Sequence, residues 1–107
     1  MFNKCTSLKT IRKLIVDSAI NPATNPFTGC SALEYIRFEG DINWALKLGD
    51  SPKLTRESIE NIIGHLYSGA SNKTLTLSET AVNAAFGDEW DSYVTAHKPS
   101  GWNITLA

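Results

Sequence analysis

Alternating apolar and polar residues mark five short segments of the chain as strands. In residues 44–48, 74–77 and 102–106, apolar side chains recur two positions apart, in the sequences W-A-L-K-L, T-L-T-L and W-N-I-T-L. Residues 11–16 and 35–38 show the same tendency. Period-two alternation is typical of a strand with one buried face. The segments between these strands differ in length and some are helical, which predicts parallel pairing.

Two of the connecting segments have the spacing of amphipathic helices. Thr55 can cap a helix whose apolar residues recur at i, i+3, i+4 and i+7 and which ends at Gly69. Ser78 can cap a second helix, which Gly87 breaks, and a third helical spacing follows before Pro99. The three apolar stripes are Ile59, Ile62, Ile63 and Leu66; Ala81, Val82, Ala85 and Phe86; and Trp90, Tyr93, Val94 and His97.

An internal repeat is the strongest signal in the sequence. The segments that begin at Phe2 and Phe27 share the pattern F-x-x-C-x-x-L-x-x-I, with an offset of 25 residues (27 − 2). A degenerate third copy begins at Leu48, 21 residues later (48 − 27), with Leu in place of Phe and Ser in place of Cys. Periods in this range are typical of leucine-rich repeats. Stacking of such repeats would place equivalent residues side by side in a continuous core.

These patterns predict an α/β fold, a short leucine-rich-repeat-like solenoid with one parallel sheet of about five strands. The returns are loops in the first half, as in the turn-rich residues 17–28 with their two Asn-Pro pairs, and helices in the second half. A chain of 107 residues can bury one core. We therefore expect a single domain over residues 1–107, with irregular repeats in 1–50 and strand–helix units in 51–107.

The repeat and the later segments resemble a known family. The F-x-x-C-x-x-L-x-x-I signature is similar to the BspA-like (Treponema-type) leucine-rich repeats of bacterial surface proteins. The segments I-R-F-E-G from Ile36, S-P-K-L-T-R-E-S-I-E-N-I-I from Ser51, K-T-L-T-L-S-E-T-A-V-N-A-A-F from Lys73 and W-N-I-T-L from Trp102 resemble the C-terminal portion of such proteins, in the variety found in phages, prophages and gut bacteria. The resemblance covers nearly the whole chain. It implies a ligand-binding or adhesive role for the larger members of the family, and no catalytic residues.

The chain begins inside a repeat, because Phe2 follows Met1 directly. A solenoid end normally needs a capping unit that covers its core and its strand edge. We therefore expect an open edge at the first strand, where Leu14, Ile15 and Val16 would mediate self-association or partner binding. Either the sequence is a fragment of a longer protein, or a partner or a second copy covers this end.

Composition and charge exclude several classes of partner. The chain has 42 % hydrophobic and 20 % charged residues, and ten Lys plus Arg against eleven Asp plus Glu leave a net charge of −1. This balance offers no basic surface to a nucleic acid or an anionic membrane. No apolar run approaches the roughly 20 residues that span a bilayer, and Lys4, Lys9, Arg12 and Lys13 interrupt any signal peptide. We expect a protein partner, no nucleic acid and no membrane, in the cytoplasm or within a surface or virion protein.

The residues that could carry chemistry are sparse. Cys5 and Cys30 are too few for a disulfide framework or a structural zinc site. Their repeated position favours two buried thiols, with a disulfide between them or a reactive or metal-binding cysteine as alternatives. Neither His65 nor His97 stands at metal spacing from a Cys or a carboxylate, and no hydrolase or phosphate-binding motif is present. We expect no enzyme, no cofactor and no metal site.

The outer face of the sheet is the remaining candidate for function. If the apolar residues of each strand point inward, period two places their neighbours outward. In leucine-rich-repeat proteins the concave face of the sheet usually binds the ligand, whereas the alternative is that the face is merely solvated. The candidate ligand-binding residues are Tyr35, Arg37, Glu39, Asn43, Lys47, Thr74, Thr76, Asn103 and Thr105.

Two functions are compatible with these features. The first is a non-catalytic protein-binding or adhesion module of a phage or bacterial surface-type protein, which the repeat and the resemblance favour. The alternative is a small stand-alone inhibitor made by a mobile element, of the anti-CRISPR type, which occludes a host defence enzyme. Small size and the absence of a signal peptide favour this alternative.

Overall fold

A computed structural model describes residues 7–17, 27 and 29–107. Phe2, Cys5 and most of the predicted turn region 17–28 lie outside these residues. The elements in chain order are the strands β1 (Thr10–Ile15), β2 (Tyr35–Glu39) and β3 (Lys47–Leu48), the helix α1 (Arg56–Gly64), the strand β4 (Lys73–Leu77), the helix α2 (Glu79–Ala85), a 3₁₀ turn (Gly87–Glu89), the helix α3 (Trp90–His97) and the strand β5 (Trp102–Leu106). The fold is α/β, as the sequence predicts.

All strand pairings are parallel, but the strands form two sheets rather than one. β1 pairs with β2, and β3, β4 and β5 lie in that order in a second sheet. The expectation of one sheet of about five strands is therefore wrong. Residues 40–46 connect the two sheets, and within them Ile42 forms an isolated parallel bridge to Leu66.

Helix α1 lies along the edge of β2 at which another strand would have continued the first sheet. The β2 backbone N–H of Ile36 donates to Ser58 Oγ at 3.0 Å, and that of Phe38 donates to Asn61 Oδ1 at 2.7 Å. Ser58 is fully buried. Because side chains of the helix already satisfy these donors, no strand is needed there, and the first sheet ends at β2.

Copies of the repeat contact each other at equivalent positions. Ile11 of the first copy and Ile36 of the second are partners in the β1–β2 register. Between the second and third copies, Ser51 Oγ donates to the Cys30 carbonyl oxygen at 2.8 Å, at the 21-residue offset seen in the sequence. The Ser that replaces Cys in the third copy therefore lies against the Cys of the second.

The predicted helix starts are confirmed, whereas one predicted end is wrong. Thr55 and Ser78 adopt extended backbone and accept hydrogen bonds from the N–H groups three residues later, which are unpaired at any helix start. Helix α1 ends at Gly64 instead of Gly69. The cause is a tertiary contact, because the His65 carbonyl accepts from the N–H of Ile42 at 2.8 Å and draws the chain into the bridge.

One continuous cluster of buried apolar side chains joins both halves of the chain. Trp44 and Trp102, the first apolar residues of the strand patterns at 44–48 and 102–106, are 5 % and 1 % exposed. Phe38 contacts both Phe27 and Trp44 edge to face, with ring centroids 6.4 Å apart in each pair. The fully buried residues of this cluster include Leu33, Ile36, Leu46, Leu48, Ile59, Ile62, Leu75, Leu77 and Val82.

The change Ile63→Asp tests the face by which α1 is buried. Ile63 is 1 % exposed, and an unpaired carboxylate there should lower the free energy of unfolding by several kcal/mol, enough to unfold a small domain. Glu60→Ala is the matched control, because Glu60 forms only a partly exposed ion pair with Arg56 and its loss should cost about 1 kcal/mol or less. Equal effects in chemical denaturation would contradict this orientation of the helix.

The thiol of Cys30 should resist alkylation in the native protein. It is fully buried, so reagents should reach it only after unfolding, when the thiolate becomes accessible. Peptide mapping by mass spectrometry, with and without denaturant, distinguishes Cys30 from Cys5. Rapid labelling of Cys30 under native conditions would show that the repeat position is not packed as described.

Candidate binding surface

Five of the nine candidate ligand-binding residues lie on the three-stranded sheet and form two cross-strand rows. The register places Lys47 beside Thr76 and Thr76 beside Thr105, and in the next row Thr74 beside Asn103. The hydroxyls of Thr76 and Thr105 are 3.1 Å apart and share a hydrogen bond. Lys47, Asn103 and Thr105 are exposed, and the two threonines of β4 are half-buried.

The rows are rigidly held because the opposite face of the sheet is packed. Leu75 and Leu77, which alternate with the threonines of β4, are fully buried, and so is Leu48 of β3. A parallel ladder with one buried face permits no slip of register, since a slip of one residue would expose these leucines. The outer face therefore presents hydroxyl groups, an amide and one ammonium group in fixed positions.

Three further candidates lie on the two-stranded sheet, and two of them contact neighbouring elements. The Tyr35 hydroxyl donates to Glu57 Oε1 of α1 at 3.5 Å. Glu39 pairs with Lys13 of β1 at 3.1 Å. Arg37, which lies between Tyr35 and Glu39 on β2, is exposed. Exposed pairs of this kind contribute at most about 1 kcal/mol.

The ninth candidate, Asn43, belongs to neither sheet. It is half-buried in the segment that connects β2 to β3. No register links the residues of β2 to those of the second sheet. The candidates therefore do not form one ladder, and the larger organised group is the one on β3, β4 and β5.

The residues predicted to form a self-association edge point in different directions. Ile15 is 68 % exposed, whereas Val16 is 6 % exposed. Leu14 is partly buried against the core. The β1–β2 register shifts between Ile11 and Leu14, and such an irregularity turns successive side chains away from strict alternation. Ile15 alone of the three is presented to solvent.

Sequence reasoning missed a cluster that holds the helices together around Arg56. The Arg56 guanidinium lies 4.5 Å from the centre of the Phe86 ring. It donates to Glu60 at 3.1 Å and to Glu89 at 3.3 Å, and these hydrogen bonds raise the pKa of Arg56. The spacing of Arg56 and Glu60 is visible in the sequence as an i, i+4 pair. The contacts with Phe86 and Glu89 connect distant segments and have no local signal.

An aromatic row continues from Phe86 along α3. The Phe86 ring lies 5.1 Å from that of Trp90 and 5.0 Å from that of Tyr93, and Tyr93 stacks on His97 at 4.1 Å. None of the residues of α3 is fully buried. This short helix is held on the surface by the packing of Trp90 and Tyr93 against the core and by their ring contacts with Phe86, which contribute about 0.5–1.5 kcal/mol each beyond area burial.

An open depression of about 390 Å³ lies between the beginning of α1 and the end of α2. Its lining combines two cationic side chains with small and apolar ones: Lys53, Leu54, Thr55, Arg56, Ala84 and Ala85. Thr55 is occupied as the cap of α1, and Arg56 is already paired with two glutamates. The lining therefore offers no convergent set of polar groups for a small ligand.

Within the described residues, no group of three His, Cys, Asp or Glu side chains could hold a metal ion. Each of the two histidines instead contacts a backbone carbonyl oxygen. His65 Nδ1 lies 2.8 Å from the carbonyl oxygen of Gly40, and His97 Nδ1 lies 3.0 Å from that of Tyr93. Across the same part of the chain, no helix has the length and apolar character needed to cross a membrane.

Burial raises the pKa of the Tyr93 hydroxyl, and the charge of Glu60 raises it further against a smaller opposing effect of Arg56. The folded protein thus holds this proton more tightly than the unfolded chain, so the free energy of unfolding should fall as the pH rises above about 10. The tyrosinate absorbance that is lost in Tyr93→Phe should titrate above the ordinary tyrosine value, and Glu60→Gln should lower its midpoint. A midpoint unchanged by Glu60→Gln would contradict this placement of the two groups.

No protein-family model, curated protein or solved structure matches this chain.

Proposed function

We propose that this chain is a non-catalytic protein-binding or adhesion module, built as a short leucine-rich-repeat-like solenoid of the BspA-like kind. The observation that carries the proposal is the pair of polar rows on β3, β4 and β5. They place Lys47, Thr76 and Thr105 side by side on a sheet whose other face is packed. A rigid scaffold of this kind binds a partner without the entropic cost of ordering a loop.

The contacts between repeat copies support the solenoid part of the proposal. Ile11 lies beside Ile36, and Ser51 lies against Cys30, each pair at equivalent positions of the repeat. In a solenoid, equivalent residues of successive turns form such ladders. Helix α1 then acts as the return segment between the parallel strands β3 and β4, and its side chains cover the edge of β2.

The chemistry of the rows favours a protein surface as the partner. Hydroxyl and amide groups both donate and accept hydrogen bonds, so they suit the backbone and polar side chains of another protein. One ammonium group, on Lys47, is too little cationic charge for the phosphates of a nucleic acid. The same reasoning applies to partners on a bacterial surface, which the resemblance suggests.

Affinity capture with matched variants tests the binding face. Immobilised protein should retain a specific partner from lysate and surface fractions of bacterial cells, and Lys47→Glu or Thr74→Lys should lower that retention about tenfold. Such losses correspond to about 1.4 kcal/mol, an ordinary value for an interface residue. Asn83→Lys is the control, because Asn83 is exposed on α2 outside both sheets.

The outcomes separate the alternatives. Equal retention by the Lys47, Thr74 and Asn83 variants would contradict binding through these rows, and so would failure to capture any partner. Retention of a host defence nuclease, lost with the same two changes, would support the inhibitor function on the same face instead of adhesion.

A further inference from the structure

The outer edge of β5 has backbone groups available for a further strand. The Gly101 carbonyl accepts from Lys73 at 3.1 Å, and the Ala107 N–H donates to Leu77 at 2.8 Å. Because backbone groups alternate along a strand, those of Ile104 and Leu106 point away from β4. Within the described part of the chain, β5 is the last strand of its sheet and no element pairs with this side.

The apolar row beneath the sheet becomes exposed at this edge. Leu48, Leu77 and Leu106 are neighbours across β3, β4 and β5. The first two are fully buried, whereas Leu106 is 36 % exposed. The row thus continues to the edge without being covered there, and one more strand would shelter it from water.

From Ile104 to Leu106 the edge also lacks the features that usually prevent strand pairing, whereas at Trp102 the Lys98 ammonium group occupies it. Residues Trp102–Leu106 contain no charged residue and no proline, and their register with β4 is regular. By contrast β1, the outer strand of the other sheet, contains Arg12 and Lys13 and has an irregular register. Charges and bulges protect edge strands from association, so β5 is the less protected of the two.

We infer that β5 is a self-association edge, on which a second copy of this chain adds its own β5 in antiparallel orientation. The strand is symmetric in character about Ile104, with apolar residues at 102, 104 and 106 and polar ones between them. A two-fold axis at Ile104 therefore pairs apolar with apolar and polar with polar, as a self-complementary interface requires. The two sheets of three strands would become one sheet of six.

This register specifies the contacts. The Ile104 residues of the two copies would exchange two backbone hydrogen bonds, and Leu106 would lie opposite Trp102 of the other copy. The N–H of Trp102 already donates to the Pro99 carbonyl. The Trp102 carbonyl oxygen accepts from Lys98 Nζ at 2.6 Å, and its second lone pair can accept from the Leu106 N–H of the other copy. On the outer face, Asn103 would lie opposite Thr105 twice. A two-fold axis at Arg12 or at Lys13 of β1 would instead place that cation opposite the same cation of the other copy, and like charges opposite each other are destabilising.

The inference is independent of the proposed function, and paired charge changes test it. Sedimentation velocity over a range of concentrations should show a dimer of the unmodified chain. Asn103→Lys with Thr105→Lys would place like charges opposite each other twice and should weaken the dimer about tenfold or more. Asn103→Lys with Thr105→Glu would place opposite charges there and should keep or strengthen it. Both double variants change the same positions, so their difference reports the antiparallel register.

A second comparison locates the edge. Ile15→Lys, on the exposed side of β1, should leave the dimer unchanged. The near-ultraviolet circular dichroism and thermal unfolding of each variant verify that the fold is intact. A monomeric unmodified chain, equal dimerisation of the two double variants, or loss of the dimer with Ile15→Lys would each overturn the inference.

Discussion

The docking of α1 on the edge of β2 is the interaction on which the rest of the structure depends. Ser58 and Asn61 accept hydrogen bonds from two backbone N–H groups of β2 that would otherwise pair with another strand. Buried amide donors left without partners would cost about 1–3 kcal/mol each. With these bonds in place, the first sheet stops after two strands, and β3, which precedes α1 in the chain, belongs to a second sheet. The division of the candidate residues between two sheets is a consequence of this contact.

The position of α3 depends on a second, more exposed set of contacts. Arg56 connects α1 to Glu89 and to the Phe86 ring. The Phe86 ring in turn contacts the rings of Trp90 and Tyr93 in α3. Each contact is modest by itself, because the ion pairs are partly solvated. Together they fasten α3, which has no buried residue of its own. Helix α3 is therefore held by ring contacts, by the ion pair of Arg56 with Glu89 and by the partial burial of Trp90 and Tyr93 against the core.

The two functional surfaces inferred here belong to the same sheet and use different parts of it. The polar rows on β3, β4 and β5 offer side chains, whereas the edge of β5 offers backbone groups and the uncovered end of an apolar row. A strand added at the edge would extend the polar rows as well, because Asn103 and Thr105 would lie beside Thr105 and Asn103 of the second copy. Pairing through β5 would therefore enlarge the face proposed to bind a partner without covering it.

Local features of the sequence determined where most elements begin and what faces inward. Thr55 and Ser78 were recognisable as caps because a hydroxyl before an apolar stripe satisfies local N–H groups, and the repeat pattern correctly paired Ile11 with Ile36. The tertiary structure alone decided which elements became neighbours. Ser58 and Asn61 read equally well as ordinary polar positions of a helix, and Leu106 reads like Leu77, although only Leu77 has a strand on both sides. Hydrophobic periodicity and helix capping depend on residues that are close in the sequence. Which element pairs with the edge of a strand depends on segments far apart in the chain, so no local sequence pattern indicates it.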